Sequence, residues 1–114
     1  PESDMIFCNR LSDIIYILDI SGKLLCLEKK GGRLIWAVQL RQVSKDDEVY
    51  WRGPLLSSNK LILASSDGSV ISLSPYTGKV LSKLKYPENF VSSPFQVGKR
   101  IFLITFEGLA YIFE

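Results

Sequence analysis

Leu61-Ile62-Leu63-Ala64-Ser65-Ser66-Asp67-Gly68-Ser69-Val70-Ile71-Ser72-Leu73-Ser74-Pro75-Tyr76-Thr77-Gly78-Lys79-Val80-Leu81 decides the fold. It reads as an apolar strand, a turn at Asp67-Gly68, a second strand over residues 70–74, a second turn at Tyr76-Thr77-Gly78 and a further strand over residues 79–85. Glycine at 68 supplies the positive φ that a two-residue hairpin turn requires. The strands are rich in β-branched and apolar residues and are bounded by Gly, Pro and Ser, the mark of antiparallel strands joined by short turns.

The same pattern occurs twice more. Residues 14–27 contain the turn Ser21-Gly22, and residues 101–112 the turn Glu107-Gly108. The anchor glycines Gly22, Gly68 and Gly108 are 46 and 40 residues apart. Pro54 and Pro94 each lie 14 residues before their glycine. Gly32 and Gly78 each lie 10 residues after theirs and precede a basic residue, Arg33 or Lys79. A period of about 40–45 residues with several short strands per unit is the signature of a β-propeller.

The fold class expected is all-β, a β-propeller fragment of about two and a half four-stranded antiparallel blades. The first blade covers residues 1–40, a connector 41–50, the second blade 51–86, and an incomplete third blade 87–114. The second strand of each unit is nearly all apolar, as expected where neighbouring blades cover both faces. No stretch has a clean helical period. The chain begins Pro1-Glu2-Ser3-Asp4 without a signal pattern and reads as a piece of a longer propeller.

The strand, Asp-Gly, strand, Thr-Gly-Lys order resembles the PQQ-like repeat family. That family usually carries Trp four residues after the second glycine. Gly32 and Trp36 obey, whereas Ser82 stands at the matching place in the second unit, and Glu28 and Ser74 stand where the family favours Asp. The resemblance implies that Trp36 docks one blade on the next. The chain also resembles the BamB type, the lipoproteins of the outer-membrane β-barrel assembly machinery. This likeness implies an eight-bladed propeller in the periplasm, at the inner face of the outer membrane, bound to BamA-like periplasmic domains. The other functions that the family hosts are PQQ-dependent (quinoprotein) dehydrogenases and PQQ-like sensor ectodomains.

Little in the composition points to chemistry. Hydrophobic residues make up 46% and charged residues 23%, a globular balance rather than a disordered one. The net charge of +2 gives no reason to expect nucleic acid or an anionic membrane as partner. No apolar run approaches the roughly 18 residues of a membrane-spanning helix. The chain has no histidine, which excludes Ser-His-Asp and Cys-His catalysis and the commonest metal ligand. Asp67 and Glu107 precede turn glycines and read as turn formers. Thr77-Gly78-Lys79 lacks the earlier glycine of a phosphate loop and reads as a turn as well. Cys8 and Cys26 fall on the first and third strands of one blade, about 9–10 Å apart. This exceeds disulfide reach, so two buried thiols are expected. No catalytic, cofactor or metal site is expected, and the protein reads as a non-enzymatic protein-binding scaffold.

Binding is expected on the connectors, because loops that depart from a regular repeat carry function on a rigid scaffold. Lys45, Asp46, Asp47, Glu48, Tyr50 and Trp51 belong to the first connector and its exit. Tyr86 and Phe90 belong to the shorter second one. The remaining named positions are structural: Gly22, Gly32, Asp67, Gly68, Thr77, Gly78 and Gly108 as turn residues. Isolated blades leave sheet faces and edges uncovered. The chain by itself is therefore expected to associate with the rest of its propeller or with further copies of itself. Light scattering checks this, and a stable monomer would count against the propeller reading.

Overall fold

The computed structural model describes residues 3–8, 14–19, 21–40 and 49–113, with backbone alone for 3–8 and 111–113. Among them every regular element is a strand, in three antiparallel sheets. The first sheet has the order β1 (Ser3–Cys8), β2 (Ile14–Asp19), β3 (Lys23–Glu28), β4 (Leu34–Gln39). The second repeats it with β5 (Trp51–Ser57), β6 (Lys60–Ser65), β7 (Ser69–Leu73) and β8 (Val80–Lys85). The third holds β9 (Phe95–Val97), β10 (Arg100–Ile104) and β11 (Ala110–Phe113). These are the stacked meanders of a propeller fragment, and the sheets do not close into a barrel.

Alternation along each strand assigns its side chains to two faces. Leu61 pairs with Leu73 and Leu63 with Ile71, so these four share one face of the second sheet. They pack against Tyr16, Leu18, Leu24, Cys26 and Trp36 of the first sheet to form the main core. On the opposite face, Ala64 and Val70 join Phe90 and Leu103 in a second cluster toward the third sheet. Leu24, Leu61, Leu63 and Leu73 are fully buried, and truncating such a residue to Ala costs about 2–5 kcal/mol. The third strand β7 is buried along its whole length, more completely than the apolar second strand β6, whereas β8 is exposed throughout. Cys26 is buried on β3. Strand β2 separates it from Cys8 on β1, whose side chain lies outside the described residues.

One carbonyl ties the first two sheets together. The Pro75 oxygen accepts hydrogen bonds from Tyr16 Oη at 3.1 Å and Trp36 Nε1 at 3.0 Å, both in buried surroundings. Tyr16 and Trp36 rings lie 5.9 Å apart on the first sheet, and Pro75 belongs to the β7–β8 turn of the second. Gly78 of the same turn lies directly beneath the indole. A Cβ there would stand 2.7 Å from Trp36 Cε3 and 2.8 Å from Val38 Cγ2, and the backbone has φ +76°. Glycine is therefore demanded twice, by conformation and by space. The second-to-third interface has no such ring: Ser82 stands on β8, its Oγ 2.6 Å from Ser72 Oγ.

The hairpins at the anchor glycines are not the two-residue turns that the sequence suggests. Gly22, Gly68 and Gly108 each donate their N–H to the carbonyl three residues back, from Asp19, Ser65 and Thr105. Each loop thus has three residues, with glycine last in the left-handed region, the αL bulge form of hairpin. Two-residue turns occur instead at Ser58-Asn59, with φ 49° and 62°, and at Gly98-Lys99. The longer form is favoured because a side-chain oxygen at the first position caps the returning strand. Ser65 Oγ accepts from Ser69 N at 3.1 Å, Thr105 Oγ1 from Leu109 N at 3.0 Å, and Asp19 Oδ1 from Lys23 N at 2.9 Å. Asp, Ser and Thr three residues before each glycine carried that information in the sequence.

Gly68 and Gly108 occupy equivalent positions, with φ +98° and +86°, but their surroundings differ. A Cβ on Gly68 would lie 2.2 Å from the Tyr86 carbonyl oxygen, whereas one on Gly108 meets nothing within 4 Å. Gly108→Ala is expected to cost about 1 kcal/mol, the conformational penalty alone. Gly68→Ala adds a backbone clash and is expected to cost at least about 2 kcal/mol more. Urea denaturation of the two variants side by side measures the difference.

Candidate functional site

Strand direction alternates, so the loops of each sheet fall on two opposite rims. One rim gathers the β2–β3, β6–β7 and β10–β11 turns together with the connectors between sheets. Backbone hydrogen bonds stitch it into one surface. Leu40 N donates to Gly22 O at 2.8 Å, where the first connector departs, and Ser66 N donates to Tyr50 O at 2.9 Å, where it arrives. Tyr86 N donates to Gly68 O at 2.8 Å and Phe106 N to Asn89 O at 2.7 Å, which repeats the arrangement in the second connector. Each connector is therefore held at both ends by the turns of successive sheets. The turn at 65–69 takes part in both.

The candidate residues separate on this rim. Lys45, Asp46, Asp47 and Glu48 lie outside the described residues. Tyr50 is 42% exposed, while its N–H donates to Ser66 Oγ at 3.0 Å. Trp51 packs against the main core beside Gly22. Its buried Nε1 has no hydrogen-bond partner among the described residues. Tyr86 is partly buried and meets Phe90 edge-on, with ring centroids 6.0 Å apart and planes at 72°. Phe90 is only 1% exposed and forms a bridge with Thr105, so it supports the connector from inside.

Sequence reasoning passed over Phe106. It stands at the tip of the β10–β11 turn, 78% exposed, on a backbone fixed by Asn89 and Thr105. Leu109, also exposed, follows the same turn. The aligned positions in the other two units are Ile20 and Ser66. A bulky apolar residue at a turn tip has no strand face of its own to bury in, but Ile20 at the aligned position shares that character, so the sequence did not single Phe106 out.

Asp67 supports the rim electrostatically. Its carboxylate accepts from Ser65 Oγ and from Ser69 N, at 3.2 Å for the latter, and Lys85 Nζ lies 2.9 Å from Oδ2 and 2.6 Å from the Asp67 carbonyl oxygen. Partial burial raises its pKa, but the bonds from Ser65, Lys85 and Ser69 outweigh it and hold the carboxyl below the usual aspartate range. Asp19 is lowered too, by Ser21 Oγ first and then the Lys23 amide.

The structural turn residues of the opposite rim are also placed. Gly32 N donates to Glu28 O at 3.1 Å and Gly78 N to Ser74 O at 2.9 Å. Thr77 Oγ1 accepts from Lys79 N at 3.2 Å. Among the described residues no three His, Cys, Asp or Glu side chains converge as metal ligands would. Among the described residues there is no helix long and apolar enough to cross a membrane.

Four-stranded antiparallel meanders stacked face to face, with connectors on one rim, define the blades of a β-propeller. The family model described as outer membrane protein assembly factor BamB matches residues 11–82, and the chain belongs to that family. Among solved structures it is similar to BamB from Moraxella catarrhalis, with a TM-score of 0.70 at 18% identity over 95% of this chain. At that identity the likeness is one of fold. The chain spans 31% of the length of that protein. No curated protein matches the sequence significantly.

The lowered pKa of Asp67 makes its contribution pH-dependent in a defined direction. Its bonds stabilise the fold above the ordinary aspartate pKa of about 3.9, and the contribution is lost as pH falls through the lower folded value. Asp67→Asn is expected to cost about 1 kcal/mol at neutral pH. Chemical denaturation from neutral to acid should show the gap between the two proteins closing below about pH 4.

Proposed function

We propose that the chain is part of a non-catalytic propeller scaffold that holds a protein partner on its connector rim, in the manner of the BamB type. The observation that carries this reading is the exposed aromatic side chain of Phe106, with Tyr50 on the same rim, mounted on backbone that is hydrogen-bonded from both sides. Aromatic residues on rigid loops lose little entropy when a partner covers them, and they dominate interface energetics. Membership of the BamB family supports a place in outer-membrane assembly, at the periplasmic face of the outer membrane, with BamA-like periplasmic domains as the partner. Tyr86 borders that contact, and Lys45, Asp46, Asp47 and Glu48 are candidates for it by their place in the sequence alone. Trp51 and Phe90 hold it from beneath.

The test is a titration of the chain against the periplasmic domains of the BamA-like protein from the same cells. Saturable binding is expected, and Tyr50→Ala and Phe106→Ala should each weaken it by about tenfold or more. Absence of binding, or binding untouched by both substitutions, would overturn the proposal.

A further inference from the structure

The rim opposite the connectors carries a charge pattern that the near-neutral total hides. It is built from the turns β3–β4, β5–β6, β7–β8 and β9–β10. The first contributes Lys29, Lys30 and Arg33, all exposed. Exposed Lys60 and Lys79 flank the next two turns. Lys99 and Arg100, also exposed, form the fourth. Among the described residues of these turns and their flanks, Glu28 is the single acid, and Arg33 pairs with it. Among the described residues the connector rim is close to balanced, with Asp19, Asp67, Glu88 and Glu107 against Lys23, Arg52 and Lys85.

Apolar side chains are interleaved with the basic ones at the same tips. Tyr76 is 64% exposed, and its hydroxyl donates to Asn59 Oδ1 at 2.7 Å, which joins the β5–β6 and β7–β8 turns. Leu34 and Val80, each directly after a basic residue, are exposed as well. The bonds from Tyr16 and Trp36 to the Pro75 carbonyl fix the first two sheets in one frame. The basic tips therefore do not move independently.

We propose that this rim lies against an anionic phospholipid surface. Its lysines and arginines would contact headgroup phosphates, and Tyr76, Leu34 and Val80 would enter the interfacial layer. The charges are spread over four turn tips rather than converging on one point, which suits a flat, multiply charged surface. Exposed aromatic and aliphatic side chains between cations are what an interface with both phosphate and hydrocarbon rewards.

Co-sedimentation with vesicles tests it. The chain is expected to pellet with phosphatidylcholine vesicles containing about 30 mol % phosphatidylglycerol, and not with phosphatidylcholine alone. Binding should fall as salt is raised from about 0.1 M to about 0.5 M. Each lysine near such a surface strengthens binding about fivefold, so Lys29→Gln/Lys30→Gln/Lys79→Gln should weaken it about a hundredfold. The comparison variant Lys23→Gln/Arg52→Gln/Lys83→Gln removes the same charge elsewhere and should bind nearly as the parent does. All six positions are exposed, and circular dichroism checks that both variants keep the parent's strand signal. Failure to pellet, equal pelleting with neutral vesicles, or equal loss in both variants would each overturn the proposal. So would retention of a polyglutamate peptide without vesicle binding, which would assign the rim to an acidic protein instead.

Discussion

The Pro75 carbonyl, accepting from Tyr16 and Trp36 at once, is the interaction on which the rest of the arrangement depends. A four-stranded meander has two faces and cannot bury either alone, so blades persist only by covering one another. Hydrophobic contact between sheets is non-directional and leaves them able to slide. Two buried hydrogen bonds to one oxygen set both the offset and the tilt, because a sliding step would leave two donors and an acceptor unpaired in the core. Gly78 belongs to the same device: without a Cβ it lets the indole lie on the turn, which brings the carbonyl within reach.

The second interface shows what happens when the ring is missing. Ser82 occupies the strand position where β4 carries Trp36, and it pairs with Ser72 rather than reaching across. Cohesion there comes from Ala64, Val70, Phe90 and Leu103, and from the connector. Phe90 thus serves packing, and its aromatic neighbour Tyr86 steadies it edge-on. The connector rim is consequently held more by backbone hydrogen bonds than by side-chain docking. That gives exposed groups such as Phe106 a firm base in the third sheet.

The two rims differ because antiparallel order sorts loops by parity. Turns between odd and even strands of a meander alternate sides, so residues far apart in sequence collect on one surface while near neighbours separate. Lys29, Lys60, Lys79 and Lys99 lie in four different loops and share a rim, whereas Lys79 and Lys85, six residues apart, end on opposite ones. A chain with 14 basic and 12 acidic residues is nearly neutral as a list, yet its described charges are divided unevenly between the two rims.

The repeat of strands and glycines was legible in the sequence, because turn chemistry and strand periodicity are local: Gly68 and Gly78 must take positive φ wherever the blade sits. The family likeness was legible for the same reason, and Trp36 stood out at its expected distance from Gly32. The turn length at the anchor glycines was misread, since the deciding signal was the capping oxygen of Asp19, Ser65 or Thr105 and not the residue beside the glycine. Tertiary structure alone decided which aromatics face solvent. Tyr50 and Phe90 look alike as connector residues, yet one is exposed and the other enclosed, because burial is set by the neighbouring sheet. It alone placed Phe106 on the connector rim beside Asn89, and it alone divided the charges, since a sum over residues carries no direction until strand order assigns each loop a side.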